Sequence, residues 1–310
     1  MEVDSTVVAR LRAAGCVFAE EEAAILSASA RTPAELDAMV TRRAAGEPLE
    51  QVVGWAEFAG LRVVVDPGVF VPRRRSEFLV SVAVALAGRQ NVTMFQDRPA
   101  AHHGPVVQDE PVVQDGTVSL EAGVRRAGPR VVADVCCGTG ALGLAVAVEL
   151  SGSDASGRAS SEIHLDGVEL HAADLDPAAV ACARRNVEPA GGHVYQGDLL
   201  GALPSGLRGR IGVLICNAPY VPTAEIAFMP SEARDHEAPI ALDGGADGLA
   251  VLRRVAAEAR AWLAPGGVLL VETSERQAPS MKAAMTAGGL AAQIHEDDEY
   301  GATVVTGQLG

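Results

Sequence analysis

Lysine is almost absent from this 310-residue chain, with Lys282 its only instance, so arginine carries nearly all the positive charge. Acidic residues outnumber basic ones by 40 to 25, leaving a formal net charge of -15. Such a balance opposes capture of a polyphosphate backbone, which needs clustered Lys and Arg, and makes free nucleic acid a poor partner. The five cysteines, Cys16, Cys136, Cys137, Cys182 and Cys216, have no paired metal-ligand spacing, and the adjacent Cys136 and Cys137 do not readily bridge each other. A reducing, cytoplasmic setting is expected, with no metal. No uninterrupted apolar stretch reaches membrane-spanning length, and Met1-Glu2-Val3-Asp4 lacks a basic start followed by an apolar run. The protein is therefore expected to be soluble.

What is present is ample apolar material, 48% of residues, enough for one large domain and a smaller one. Residues 4–45 carry apolar positions at helical spacing, among them Val7, Leu11, Leu26, Leu36 and Val40. Thr32-Pro33-Ala34-Glu35 has the form of a helix start, with Thr32 as cap and Pro33 in the first turn. A small helical domain over 1–47 follows. From 51 to 72 short β-like runs such as Leu61-Arg62-Val63-Val64-Val65 replace the helical pattern, and we expect a β-hairpin linker over 48–87. Between 88 and 129 both periodicities fade. The sequence Pro-Val-Val-Gln-Asp recurs there at Pro105 and Pro111, and 88–129 is expected to be a mobile insertion. His102-His103 within it has no further ligand at metal spacing and is expected to be an exposed loop pair.

From Arg130 to the end, over 130–310, strand and helix patterns alternate, with strands expected at 130–135, 165–172, 193–196, 211–216 and 267–272. Helices are expected at 141–150, 177–187, 247–263 and 277–287. That order indicates an α/β domain with a mainly parallel sheet and helices on both faces. Two last strands near 290–295 and 303–307 imply a C-terminal antiparallel hairpin.

The first strand of that domain runs into Asp134-Val135-Cys136-Cys137-Gly138-Thr139-Gly140. In doubly wound sheets a ligand sits beyond the carboxyl ends of the strands, and glycines at 138 and 140 let backbone approach it. The helix from Ala141 aims free N–H groups at the same place. The second strand ends at Asp174, placed to accept both hydroxyls of a ribose, while Asp176 caps a helix begun by Pro177. Asp198 and Leu199, after the third strand, are candidates for the edge and wall of an adenine. The turn has no Gly-x-Gly-x-x-Gly, which makes nicotinamide binding less attractive.

The fourth strand ends in Cys216-Asn217-Ala218-Pro219-Tyr220. Methyl transfer from a sulfonium requires the acceptor lone pair behind the methyl carbon, so positioning supplies much of the catalysis. In an amide or aromatic amine that lone pair is delocalised. The Asn217 side-chain carbonyl and the Ala218 backbone carbonyl can accept the two N–H groups of such a nitrogen and favour its tetrahedral form as charge develops. Tyr220 can pack on the planar acceptor, and Pro219 keeps the loop extended. Cys216 is expected to pack as a small apolar residue.

Taken together these segments resemble the HemK/PrmC family of protein-(glutamine-N5) methyltransferases, which modify the Gly-Gly-Gln glutamine of peptide-chain release factors. Asp134 to Gly140 is similar to the family's donor loop, Asp174 to its ribose carboxylate, and Asn217 to Tyr220 to its Asn-Pro-Pro-Tyr. Val69 to Glu77 resembles the linker motif, adding Pro72 and Arg73 on the substrate side, and Glu237 to Gly248 the glycine-rich segment downstream. The match continues from Pro265-Gly266-Gly267 through Glu272 to Gln277.

The resemblance implies a Rossmann-like class I methyltransferase fold, S-adenosylmethionine as donor, a helical N-terminal domain that helps recognise a protein, and a glutamine side chain as acceptor. Two departures stand out. Cys136 replaces the first glycine of the donor loop, which is tolerable where that position needs no positive φ, and Ala218 replaces a proline. The Arg73-Arg74-Arg75 run is read as a solvated turn or a contact for an acidic partner. Adenine-N6 methylation of nucleic acid and a noncatalytic interaction protein on the same fold remain alternatives.

Overall fold

The computed structural model describes residues 4–96, 130–153 and 162–310. The repeat at 105–116 and His102-His103 lie outside the described residues. The chain opens with helices α1 (Ser5–Ala13), α2 (Ala19–Ser29), α3 (Pro33–Ala44) and the short α4 (Leu49–Val53). Leu11, Leu26 and Val40 are fully buried, and with Val7, Ala23 and Val52 they form a core of their own. Thr32 caps α3, its hydroxyl accepting the Glu35 N–H at 3.1 Å, and Pro33 takes the first turn.

Strands β1 (Trp55–Phe58) and β2 (Leu61–Val64) then pair antiparallel. The hairpin is shorter than the span expected for it, because residues 77–96 form helix α5 (Glu77–Gln96). Leu79, Val80 and Ala83 of this helix are buried in the main core. Phe78-Leu79-Val80 and Val82-Ala83-Val84-Ala85-Leu86 offer almost no polar positions against which a helical period can be counted. The expected insertion boundary at 88 therefore falls inside a helix.

Seven strands build the sheet: β3 (Arg130–Val135), β4 (Val168–Asp174), β5 (His193–Gln196), β6 (Ile211–Cys216), β7 (Leu263–Thr273), β8 (Ala291–Asp297) and β9 (Ala302–Gln308). Their spatial order is β5-β4-β3-β6-β7-β9-β8. All neighbouring pairs from β5 to β7 are parallel, and β9 runs antiparallel to both β7 and β8. Val131, Val132, Ala133 and Val135 are buried, as expected of a central parallel strand covered on both sides.

One face packs against α5, α6 (Ala141–Ser151), α7 (Pro177–Val187) and the hairpin. The other packs against α9 (Ala250–Ala259) and α10 (Ala278–Ala287). In α9 the buried residues Leu252, Val255, Ala256 and Ala259 recur at helical spacing and form one stripe. Full burial of Leu252 and of Val255 contributes roughly 1.5–3 kcal/mol each. A short α8 (Ser231–His236) lies between β6 and α9 in the chain. The strand order reverses at β3, whose neighbours are β4 on one side and β6 on the other, and a crevice opens beyond the carboxyl ends of strands at such a point. Among the described residues no helix is long and apolar enough to cross a membrane, and no cluster of His, Cys, Asp and Glu has metal-binding geometry.

Candidate active site

A cavity fills the crevice, and the sequence motifs meet in it: Cys136 to Thr139, Asp174, Asp198, Leu199 and Asn217 to Tyr220 all line it, joined by Pro72 and Arg73. Asp134 and Gly140 do not line it. Asp134 is fully buried behind the loop, where one carboxylate oxygen accepts the Gly143 N–H at 2.8 Å and the other has no partner. Burial pushes this carboxyl up to about 7, against the pull of the Gly143 N–H. Gly140 begins α6 at φ +77°, and a Cβ there would stand 2.6 Å from Val187 Cγ2. These two residues stand behind the loop, outside the cavity lining.

Asp174 sits at the open end of β4. Its two oxygens accept backbone N–H groups from Gly138 at 2.9 Å and Asp176 at 3.0 Å. Burial raises its pKa above the usual carboxylate range, and those two N–H bonds oppose the shift. A carboxylate has about four acceptor positions, so the pair leaves room for hydroxyl donors from a ligand. Asp176 caps α7 through Ala178 N–H at 2.9 Å, as its position before Pro177 implied.

Cys136 adopts φ +57° and Leu199 φ +50°, and these are two of three non-glycine residues with positive φ among those described. The condition under which Cys136 is a harmless replacement for glycine is therefore not met. An L-residue held in this region costs about 1–2 kcal/mol, and strain of this kind clusters at ligand sites. Contact with the Cys216 thiol, and then burial, pushes the Cys136 thiol well up, so neither geometry nor charge makes it a nucleophile. Cys216 itself is fully buried at the end of β6, as an apolar packing residue. Asp198 forms an ion pair with Arg254 at 2.6 Å at the cavity rim.

Below the Asn217–Tyr220 loop lies a buried carboxylate that the sequence reading did not assign to the site. Glu272, at the end of β7, accepts Ser76 Oγ–H at 2.5 Å, Tyr220 O–H at 2.9 Å and the Arg75 Nε–H at 2.9 Å. Asn217 Nδ2 donates to Ser76 Oγ at 3.3 Å and reaches Glu272 at 3.5 Å. Because the Ser76 proton is committed to Glu272, the Ser76 oxygen must accept from Asn217. That fixes the amide with its NH2 group toward Glu272 and its carbonyl oxygen free of any described donor. The Ala218 carbonyl is likewise without a described donor, beside a residue that is almost fully buried.

Burial, and then the neighbouring Glu272 carboxylate, push the Tyr220 hydroxyl well up, so it stays protonated and donates. Gln277 holds the loop backbone through Tyr220 O at 2.9 Å and Asp247 O at 2.8 Å. Gly248 passes so close that a Cβ would stand 2.2 Å from both Gln277 Nε2 and Tyr220 O.

Within the arginine run Arg74 and Arg75 are exposed, but Arg73 and Arg75 also reach inward to buried carboxylates. Arg73 pairs with the buried Glu237, and Arg75 pairs with Glu272 and also bonds the Tyr220 hydroxyl. Glu237 further accepts the Val71 N–H at 3.3 Å, and burial raises its pKa against the pull of Arg73. A signal for Glu272 does exist in the sequence: a carboxylate ending the apolar run Val268-Leu269-Leu270-Val271, where a parallel strand opens into the crevice.

No protein-family model matches the chain. The release factor glutamine methyltransferase of Streptomyces coelicolor is 32% identical over 239 residues, covering 77% of this chain and 67% of the relative. That of Deinococcus radiodurans is 32% identical over 258 residues, covering 83% of this chain and 73% of the relative. A 4-amino-L-phenylalanine/4-methylamino-L-phenylalanine methyltransferase of Streptomyces pristinaespiralis is 31% identical over 252 residues, covering 81% of this chain and 69% of the relative. With its strand order, its paired loops at the reversal point and these relatives, the chain belongs to the HemK/PrmC family of S-adenosylmethionine-dependent N-methyltransferases.

Proposed function

We propose that this enzyme methylates the side-chain amide nitrogen of a glutamine in a protein, with a peptide-chain release factor as substrate. The observation that supports this is Asn217 in the cavity lining, its NH2 group turned to Ser76 and Glu272 and its carbonyl oxygen without a described donor.

Asp174, the Cys136–Thr139 backbone and Leu199 are the residues that would hold S-adenosylmethionine. The fit rests on the spare acceptor positions of Asp174 and on its place beside Gly138. When bound, S-adenosylmethionine supplies a methyl carbon whose bond to sulfur breaks as the bond to nitrogen forms, the electron pair staying on sulfur. Asn217 Oδ1 and the Ala218 carbonyl accept the two N–H groups of the substrate amide. Both bonds strengthen as the nitrogen gains positive charge, so they favour the transition state over the ground state. Tyr220, held by Glu272 and Arg75, forms one wall of the cavity and orients the planar amide. The proton displaced from nitrogen leaves to solvent once the new bond has formed.

Incubation with methyl-labelled donor and a release factor is expected to place label on one glutamine, located by mass spectrometry. Donor binding by calorimetry without transfer to that protein rejects the substrate. The aromatic amine named for the Streptomyces pristinaespiralis relative presents the same planar NH2. Label on 4-amino-L-phenylalanine and none on the release factor would reassign the acceptor without changing the roles of Asn217 and Ala218.

A further inference from the structure

The helical domain reaches the cavity through one buried side chain. Gln51, in α4, is 3% exposed, and both ends of its amide are committed to backbone groups. Its Nε2 donates to Val69 O at 2.9 Å and to His236 O at 3.4 Å, and its Oε1 accepts the Gly68 N–H at 3.2 Å. Gly68 and Val69 line the cavity, and so does Glu237, the residue after His236. The amide fits in one orientation only, because turning it over would set its NH2 group against the Gly68 N–H and its oxygen against two carbonyls.

The two segments that Gln51 joins are irregular. Besides the contacts of Glu237 to Val71 and Arg73, they share a single parallel bridge between Gly68 and Glu237, with the Ala238 N–H donating to Gly68 O at 3.2 Å. The first segment lies against the loop after β3, where a Cβ on Gly138 would stand 3.9 Å from Phe70 Cβ, and its Val69 packs on Ala179 and Cys182 of α7. The second continues to Leu242 in the cavity lining, and the next residue, Asp243, bridges Val221 just after the Asn217–Tyr220 loop. With one acceptor and two donors, Gln51 serves as an additional peptide unit between them. Arg43, 8% exposed, adds a second tie. It binds Glu22 within the helical domain at 2.7 and 3.0 Å and Glu232 of α8 at 2.6 Å, one turn before His236.

We infer that Gln51 is a positioning residue for methyl transfer. It fixes the cavity wall that Gly68 to Arg73 and Glu237 to Leu242 form, with Arg43 and Glu232 in support, and the helical domain thereby builds part of the methyl-transfer cavity. Gln51 touches no reacting atom, so its loss weakens the binding of donor and acceptor and spares the chemical step. The expected effect on the acceptor rests on the glutamine assignment, and that on the donor does not.

The test uses the full chain. Q51L keeps the bulk of the side chain and leaves the Gly68 N–H, Val69 O and His236 O without their partner. It is expected to raise the S-adenosylmethionine Kd, by calorimetry, and the KM of a peptide with a central glutamine by about tenfold each, the weight of one net hydrogen bond, with kcat changed by less than about twofold. V40A, in the core of the helical domain, is the control: it is expected to lower Tm and leave both constants alone. An unchanged donor Kd in Q51L overturns the positioning role, and so does a V40A variant that raises it as much. If Q51L does not fold, E232A decides, because Glu232 is half exposed and its removal leaves Arg43 paired with Glu22. A rise of about threefold in its donor Kd supports the role, and no rise overturns it. If the parent protein binds donor and methylates no glutamine peptide, the glutamine assignment fails, and the donor Kd alone decides the role of Gln51.

Discussion

The two halves of the cavity are built by different means. On the proposed donor side Asp174 is held by backbone N–H groups 36 and 2 residues away, in the loop and helix that follow neighbouring strands. On the proposed acceptor side Asn217 is held by side chains 141 and 55 residues away, from the segment before α5 and the end of β7. Backbone donors are present whatever the side chain, so the first half can accept replacements such as Cys136. A chain of side chains fails when one link is lost, so the second half has little tolerance.

That contrast can be broken most strongly at Asn217. Asn217→Ala is expected to lower kcat about 10²–10³-fold, the size seen when one electrostatic contact to a developing charge is removed, with donor affinity unchanged by calorimetry. Asp174→Ala is expected to do the reverse, raising the donor Kd about 10–100-fold, from the loss of hydrogen bonds to a charged acceptor, with kcat reduced far less at saturating donor. Equal effects of both variants on both quantities would sink the division into two halves.

Glu272→Gln sharpens the comparison from below the loop. Its NH2 group would face Ser76, Tyr220 or Arg75, all of them donors, and leave Arg75 without a counter-charge. A fall in kcat of about tenfold and a loss of about 2–3 kcal/mol in stability are expected, measured by steady-state kinetics and urea unfolding. Donor Kd should not move.

Asp134 gives a pH test of the donor side. Its folded pKa of about 7 lies above the ordinary value of 3.8, so the folded state holds the proton more tightly than the unfolded one. The stability from this group is full below the unfolded value and is lost as pH rises through about 7. Asp134→Asn keeps an oxygen for the Gly143 N–H and should flatten the decline in stability over that window, read as unfolding midpoints against pH. A slope identical to that of the parent protein would show that the group does not titrate there.

The smallest effect is expected at Cys136. Cys136→Gly removes a left-handed strain of about 1–2 kcal/mol and adds a backbone entropy cost of roughly 0.5–1 kcal/mol, for a net gain of up to about 1.5 kcal/mol. A rise of a few degrees in Tm by calorimetry would agree with that balance, and a drop would not.

Much of this was legible from residues alone. Strands 130–135, 193–196 and 211–216 lie where their apolar runs end at turn residues, and Pro177 and Thr32 mark helix starts that local hydrogen bonds do form. α5 carries no legible period because its first half has only Ser81 as a polar marker between Phe78 and Ala87, and small apolar Ala85 stands on its exposed face. Asn217, Ala218 and Asp174 stand out in the sequence because strand ends carry their own signals, and all three line the cavity. Ser76 and Glu272 belong to recognised segments, but nothing local says that their side chains meet.

Composition, apolar period and turn residues determined the alternating elements, the places where strands open into loops and the residue types on those loops, because each depends on contacts within a few positions of chain. The tertiary structure alone decided that Ser76, Asn217 and Glu272 share one buried network and that Asp134 faces the core instead of the cavity. It decided too that Gln51 of the helical domain meets the backbone of Gly68, Val69 and His236. Those outcomes depend on sheet order and on burial, and burial fixes which side chains must satisfy one another once water is excluded.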